Sequence, residues 1–257
     1  TTVNLEKFHV RIGANPVDAR MLLRTPISDP DVDASVSGRV DLADVSRTVK
    51  MEGFDQVSGI LAADAAVRAR LSAVKQKRYD RVAASGTIDV GNLVLKGKQL
   101  PKEVAIRQAS LRLAPEAAEL RSFDATIGSS DIRASGKLLN LLGFAMERDT
   151  LKGSATVESR RFNLTEWMSK DTSALSVIPV PPRIDFDLNA TVGELLYDKL
   201  TMRDAKGRLR IKDQRVTLQD FRKNTLGGQI ALTVDYETTD TTKPTFDVLF
   251  MTTHVGI

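Results

Sequence analysis

Apolar and polar side chains alternate with a period of two over much of the chain. The clearest stretches are residues 32–42, 61–71, 82–90, 184–190 and 230–236. Strict alternation is typical of a β-strand that turns one face toward an apolar environment and the other toward water. Similar stretches recur about a dozen times, separated by turn-forming clusters. The pattern therefore predicts a mainly β protein built on an extended, curved antiparallel sheet.

Helical spacing is confined to four short segments, residues 43–49, 72–80, 138–146 and 164–169. Residues 173–183 contain Pro179, Pro181 and Pro182, which exclude a regular helix or a central strand. We therefore expect one β-repeat segment over residues 1–172 and a proline-rich connection over 173–183. A second β-repeat segment, residues 184–257, is expected to continue the same sheet.

A Leu-x-x-Phe motif followed by a glycine-containing turn occurs three times. Its copies are Leu5 to Phe8, Leu120 to Phe123 and Leu218 to Phe221, which superpose at shifts of 115 and 98 residues. Repeats of one supersecondary unit favour an extended, stackable architecture. Phe123 and Phe221 are interpreted as structural corners at the end of the motif.

A long sheet with one apolar face needs a cover, because apolar surface left in water costs about 25 cal/mol per Å². The four helical segments are too short and scattered to provide it. Two solutions remain open from periodicity alone. The sheet folds onto a second sheet with a dry core, or it forms an open trough whose lining is completed by a ligand with hydrocarbon chains.

Composition restricts the chemistry more than it identifies it. The 257 residues include no cysteine, which removes disulfides and thiolate metal sites. A net charge of +4 is too mild to predict nucleic-acid binding. No apolar run approaches the roughly 20 residues of a membrane-spanning helix, and no signal sequence is visible. Both ends look cut from something longer.

Catalytic and metal-binding motifs are absent from the sequence, so we expect neither an enzyme nor a metal or cofactor site. His9 and His254 lie far apart, without a third ligand nearby. The acidic run at residues 29–33 lacks the glycine and distal glutamate of a calcium loop and is interpreted as a solvated turn. A carbohydrate-acting enzyme would need paired carboxylates, for which Asp185, Asp187 and Glu194 are the nearest candidates.

An ordered series of short segments carries a family resemblance. The segments are residues 93–97 (Leu-Val-Leu-Lys-Gly), 100–104, 109–115, 120–131, 134–138, 149–155, 162–167, 195–200 and 226–228. In order and spacing the series resembles the C-terminal part of the AsmA family of bacterial envelope proteins. TamB and the bridge-like lipid-transfer proteins are more distantly similar. The resemblance covers the chain from about Val32 to Phe250.

The resemblance implies a periplasmic segment of a protein anchored in the bacterial inner membrane through a helix missing from this chain. It also implies a groove that conducts phospholipid acyl chains between inner and outer membranes and supports outer-membrane biogenesis. Phospholipid, the inner membrane and other envelope proteins are the implied partners, and nucleic acid is not one. The alternative is a structural β-repeat interaction module, sandwich-like with a dry core, that transports no lipid.

The residues expected to line a lipid groove are the apolar members of the alternating stretches, and plain β-core is the alternative for each of them. They are Leu93, Leu95, Leu111, Leu113, Ile132, Leu209, Ile211, Val216, Leu218, Ile230, Leu232, Val234, Phe246, Val248 and Phe250. The densest basic patch is expected to contact lipid head groups or to be a solvated face. It comprises Arg68, Arg70, Lys75, Lys77, Arg78 and Arg81.

Overall fold

Fourteen β-strands form most of the computed structural model. It describes residues 1–12, 15–48, 53–78, 81–97, 100, 102–145, 149–167, 180–197, 199–225, 228–240 and 242–253. The strands are β1 (Thr2–Ile12), β2 (Asn15–Arg24), β3 (Asp31–Asp41), β4 (Gln56–Arg70), β5 (Ala83–Lys96), β6 (Val104–Leu113), β7 (Ala117–Ile127), β8 (Ser130–Leu139), β9 (Leu151–Asn163), β10 (Ile184–Tyr197), β11 (Leu200–Lys212), β12 (Arg215–Thr225), β13 (Gly228–Glu237) and β14 (Thr245–Thr253).

Three short α-helices and one 3-10 helix follow strands within the described residues. They are α1 (Leu42–Thr48), α2 (Leu71–Lys75), α3 (Leu141–Ala145) and the 3-10 helix η1 (Leu164–Trp167). Each coincides with one of the four helical segments expected from the sequence. Helices α2 and α3 are shorter than expected within the described residues; for example, Leu138 and Leu139 belong to β8 rather than to α3.

All fourteen strands belong to one open, curved sheet in which spatial order equals sequence order. The expected mainly β, single-sheet architecture with short helices is confirmed. Every neighbouring pair is antiparallel except β9 and β10, whose parallel pairing was not expected. Because β9 and β10 run in the same direction, the chain must return from the end of β9 to the start of β10 on the opposite side of the sheet. Residues 164–183 make this connection. Residues 168–179, which include residues 173–179 of the expected proline-rich connection, lie outside the described part of the chain.

The strand ends and the connections between strands lie along two opposite sides of the sheet. We call these sides rims and name them after the helices they carry. The α2–α3 rim holds α2, α3 and the turn at residues 213–214. The α1–η1 rim holds α1, η1 and the turn at residues 128–129. Each strand runs from one rim to the other, so the strands stack along the rims. Thirteen spacings of about 4.8 Å give the sheet a length of about 62 Å.

Register places the apolar side chains of successive strands on one face of the sheet. Leu188 of β10 lies opposite Ala155 of β9 and Leu209 of β11, and Leu209 lies opposite Leu218 of β12. Along β9, apolar or small residues are half-buried and the intervening polar residues are exposed. Side chains on the inside of a curved sheet shield one another. This exposure pattern therefore indicates a trough with the apolar face on the inside.

Register shifts recur along this trough on the side of the α1–η1 rim. The seven recorded for the described residues all lie within eight residues of that rim, namely at Leu5/Phe8, Ser58/Ile60, Ile106/Gln108, Ser110/Leu111, Leu120/Phe123, Lys206/Arg208 and Leu218/Phe221. A β-bulge bends its strand and increases the local twist. Bulges in this part of six strand pairs therefore bend the sheet on the side of the α1–η1 rim, and we call this bend the crease.

All three Leu-x-x-Phe motifs coincide with this crease. In a regular strand, residues three apart point to opposite faces. The register shift between Leu218 and Phe221 instead brings both side chains to the apolar face, where they lie opposite Val234 and Leu232. The repeat found in the sequence is thus the signature of a bulge.

No second sheet packs on the described part of this sheet. The chain exposes 16293 Å², whereas a compact protein of 28.1 kDa would expose about 11,000 Å². Only twelve apolar residues of the described part are buried, most of them near the two rims. The fold is therefore an open trough rather than a two-layer sandwich.

Candidate functional site: an apolar trough with two covered regions

The apolar face of the sheet is the largest feature of the described residues that lacks a protein partner. The expected lining residues with described side chains all lie on it, namely Leu93, Leu95, Leu111, Leu113, Ile132, Leu209, Ile211, Val216, Leu218, Leu232, Val234 and Phe246. The side chains of Ile230, Val248 and Phe250 lie outside the described part, although their backbones belong to β13 and β14. The same face also carries residues that were not singled out, including Ile88, Val104, Ile106, Leu151, Phe186 and Leu188.

Two helices cover this face at the α2–α3 rim. They follow β4 and β8, whose ends are four strand spacings or about 19 Å apart along the sheet. Helices α2 and α3 nevertheless contact each other, so together they bridge the strands between them. Beneath α2, Val74 packs against Ala69, Val82 and Val67.

A cavity of about 50 Å³ remains under the two helices. Its lining combines Val67, Ala84, Leu113 and Ala118 of the sheet with Val74 of α2 and Leu141 and Gly143 of α3. Because one water molecule needs about 10–15 Å³ of such space, the cavity has room for only a few waters and not for an acyl chain. Leu113, which was expected to line an open groove, borders this cavity under the helices.

Asp29 fixes the start of α2. Its two carboxylate oxygens accept hydrogen bonds from the backbone N–H and the hydroxyl of Ser72, both at 2.8 Å. The Ser72 hydroxyl is the main cause that holds the pKa of Asp29 below its usual value. The interpretation of residues 29–33 as a solvated turn is therefore incomplete, because Asp29 has a structural role that the sequence did not reveal.

A basic side chain borders α3 at the same rim. The guanidinium carbon of Arg183 lies 4.9 Å from the centroid of the Phe144 ring. Arg183 also donates a hydrogen bond of 3.3 Å to the carbonyl oxygen of Asp149. These contacts connect α3 to the segment that enters β10.

A second covered region lies at the opposite rim, over β9–β12. Leu164 of η1 and Phe162 of β9 pack against a buried cluster of Leu195, Ala205 and Phe221. Leu218 and Leu232, two of the expected groove residues, also pack against this cluster. They therefore contribute to a protein core as well as to the trough wall.

Glu166 anchors η1 to the turn between β7 and β8. Its Oε2 accepts a 2.9 Å hydrogen bond from the backbone N–H of Ser129. This bond, followed by one from the Ser129 hydroxyl, lowers the pKa of Glu166 from its ordinary value. A further bond of 2.9 Å from the Asn163 N–H to the Ser130 hydroxyl oxygen ties the end of β9 to the same turn.

The basic patch expected from the sequence divides between two places. Arg68 and Arg70 lie on the polar outer face, where Arg68 is paired with Asp33 and Arg70 Nη2 lies 3.5 Å from Asp31 Oδ2. The exposed side chains of Lys75, Lys77, Arg78 and Arg81 lie instead beside α2 at the trough rim. Only these four are close to the opening of the trough.

The carboxylates considered for acid–base chemistry lie in ion pairs on the outer face. Asp185 and Asp187 both bind Arg210, and Glu194 lies 3.6 Å from Arg203. His9 Nδ1 lies 2.7 Å from Asp18 Oδ1 on β2, and His254 is outside the described part. Among the described residues, no group of three or more His, Asp or Glu side chains is placed to hold a metal ion.

Comparison with known proteins adds no identification. The chain matches no protein-family model, and it has no significant match among curated proteins or solved structures. In the part of the chain that the structure describes, no helix is long and apolar enough to cross a membrane.

Proposed function

We propose that the trough shields the hydrocarbon chains of phospholipids from water and conducts them along its apolar face. The observation that carries the proposal is the fourteen-stranded sheet whose apolar face is covered only in part, at one rim over β4–β8 and at the opposite rim over β9–β12. Following the resemblance to the AsmA family, we place this activity in the periplasm, in a protein anchored to the inner membrane. There it would supply phospholipid to the outer membrane.

The chemistry of the face supports a hydrocarbon ligand. Its side chains are mainly Leu, Ile, Val and Ala, and only 5% of the whole chain is aromatic. Aliphatic walls adapt to flexible chains, whereas planar ligands favour aromatic partners. The inward curvature also disfavours a second copy of the same face as the cover, because two concave surfaces cannot interdigitate.

The charge at one rim supports a lipid with an anionic head group. Lys75, Lys77, Arg78 and Arg81 are exposed beside α2, next to the trough opening. A lipid that lays its tails in the trough keeps its phosphate in water at a rim. Phosphate is a strong acceptor for basic side chains, so these four residues are suited to contact it.

The test is lipid binding by the purified chain and by one matched pair of variants. Organic extraction followed by mass spectrometry of the wild-type chain is expected to release phospholipid. Leu188→Asp places a charge on the open part of the apolar face, so it is expected to lose the lipid but to remain folded by circular dichroism. Thr191→Asp, on the outer face of the same strand, is expected to retain both lipid and fold.

Two results would contradict the proposal. One is a folded, monodisperse chain that carries no lipid and takes none up from phosphatidylglycerol vesicles. The other is unfolding by Leu188→Asp, which would indicate that this side chain lies in a sealed protein core. Either result would favour the alternative of an interaction module without lipid transport.

A further inference from the structure

We infer that the path of the hydrocarbon chains changes sides within the trough. It follows the α1–η1 rim over β5–β8, crosses at β8 and β9, and follows the α2–α3 rim over β10–β12. This inference rests on the proposed function and assigns the residues that contact the acyl chains. It derives from the positions of the two covered regions, which lie at opposite rims and at successive places along the sheet.

The first covered region excludes acyl chains from one side of the trough. Over β4–β8 the two helices occupy the side of the trough at the α2–α3 rim. Val74 of α2 and Val82 are buried there. The remaining cavity of about 50 Å³ is too small for an acyl chain. A hydrocarbon chain over these strands must therefore lie nearer to the α1–η1 rim.

That part of the trough is open and apolar, and we call it the first lane. It consists of Leu93, Leu95, Val104, Ile106 and Ile132. Leu93 lies opposite Ile106, and Leu95 lies opposite Val104. All five side chains are only half-buried, and none belongs to the two buried clusters. They form an apolar strip near the α1–η1 rim, in which the small, buried Ala125 lies between Ile106 and Ile132.

The second covered region excludes the opposite side. Over β9–β12 the α1–η1 rim side is occupied by Leu164 of η1, which packs against the buried Leu195 and Phe221. The open apolar residues of these strands lie nearer to the α2–α3 rim, and we call them the second lane. It consists of Phe186, Leu188, Leu209, Ile211 and Val216, all half-buried.

Small residues floor the trough between the two lanes. On β8 the apolar face carries Ala134 and Gly136, and on β9 it carries Gly153 and Ala155, with Gly136 directly opposite Ala155. A Cβ atom at Gly136 would come within 2.2 Å of the Ser154 carbonyl oxygen, so this position admits no larger residue. The Phe186 ring lies over Gly153, where an added Cβ would come within 2.3 Å of its Cε1 atom. The small side chains of Ala134, Gly136 and Ala155 leave depth above the rest of the floor, and this depth lets a hydrocarbon chain cross from one lane to the other.

The test is photo-crosslinking of the wild-type chain to phosphatidylglycerol that carries a diazirine near the end of one acyl chain. The lipid is supplied in vesicles of phosphatidylglycerol and phosphatidylcholine, and the labelled residues are mapped by mass spectrometry. Both lanes and the crossing are expected to be labelled. The covered residues Val74, Val82, Leu195 and Phe221 are expected to remain without label.

The outcomes separate this inference from the proposed function. No label on the apolar face would overturn both. Label along one rim throughout, or label on the covered residues as strong as on the lanes, would overturn the path but preserve lipid binding. Label in both lanes with none over the covered clusters supports the path.

A bulky residue at the crossing provides a second, independent test. Ala155→Phe fills the floor between the lanes and is expected to abolish label at Ala134 and to reduce the total lipid bound severalfold. The matched control is Thr156→Phe, whose side chain points to the outer face of the same strand and is expected to leave the label unchanged. If folded Ala155→Phe, checked by circular dichroism, keeps the wild-type labelling pattern, the crossing lies elsewhere and the inference is wrong.

Discussion

The two covered regions reach the same result by different constructions. At the α2–α3 rim, two helices that follow strands four apart contact each other along the rim, and Leu71 and Val74 of α2 are buried together with Val82. At the α1–η1 rim, a single 3-10 turn supplies Leu164, and the sheet itself supplies Leu195 and Phe221. The first cover depends on helices, whereas the second depends on a bulge that places Phe221 in the core.

The limited extent of both covers explains how an open sheet of this length has buried cores and still leaves part of its apolar face open. Each cover buries apolar side chains over only a few strands, and the strands between them are joined by backbone hydrogen bonds and cross-strand contacts. Neither cover spans the trough. Stability is therefore concentrated at the rims, and the floor of the trough remains available to a ligand.

The largest effect is expected from truncating the bulge residue of the η1 cover. Phe221 is 4% exposed within a buried cluster. Phe221→Ala should lower the free energy of unfolding by about 3–4 kcal/mol, since it removes a buried aromatic ring and leaves a cavity. Chemical denaturation followed by circular dichroism measures the change.

Phe246→Ala is the control for this substitution. Phe246 lies on the edge strand β14 and is 52% exposed, so its removal should cost less than about 1 kcal/mol. Equal losses from the two substitutions would mean that η1 does not protect Phe221 from water.

A slightly smaller effect is expected in the α2–α3 cover. Leu71 is 7% exposed at the start of α2. Leu71→Ala should cost about 2–3 kcal/mol, because a five-residue helix can relax partly into the space left behind. The same denaturation experiment applies.

Ile27 provides the contrast for Leu71, since it lies at the same rim and is 93% exposed. Ile27→Ala should leave the unfolding midpoint nearly unchanged. A loss for Leu71→Ala no larger than that for Ile27→Ala would show that α2 does not pack on the sheet.

The crease is sensitive to substitution at Gly59, which lies at the register shift on β4. This residue has φ +126°, and an added Cβ would lie 2.5 Å from the Leu93 Cα atom. Backbone cannot move aside cheaply, so Gly59→Ala should cost about 1–3 kcal/mol. Gly91 is a neighbouring control, because an added Cβ there meets no atom within 4 Å. The crease assignment would be contradicted if Gly91→Ala were the more destabilising of the two.

Local patterns predicted the strands well because alternation is a local property of the chain. The stretches at residues 32–42 and 184–190 became β3 and β10, and their shared face follows from the period of two. The Leu-x-x-Phe repeat was visible too. The sequence does not show that this repeat marks a β-bulge, because a spacing of three residues indicates a bulge only once the register of the neighbouring strand is known.

The rest depends on contacts between residues far apart in sequence. Alternation does not encode strand direction, so the parallel pairing of β9 and β10 was not predicted. The meeting of α2 with α3 joins segments about seventy residues apart, and it places Leu113 against the cavity beneath the two helices. For the same reason the basic patch was expected as one unit, although Arg68 and Lys75 lie on different surfaces.

The smallest expected effect is the pH dependence of the η1 cover. The hydrogen bond from the Ser129 N–H lowers the pKa of Glu166 below its ordinary value of 4.5. The carboxylate therefore stabilises the fold above that value and loses its contribution as the pH falls through the lowered, folded-state pKa. Denaturation midpoints of wild type and Glu166→Gln should differ near neutral pH and converge as the pH falls through the lowered, folded-state pKa. Ser129→Ala retains the backbone donor and should preserve most of the difference.

Because Asp29 anchors α2 in a similar way, Glu166→Gln should remove only part of the acid sensitivity of the whole chain. A difference that persists unchanged in acid would mean that the Glu166 charge does not hold η1 in place.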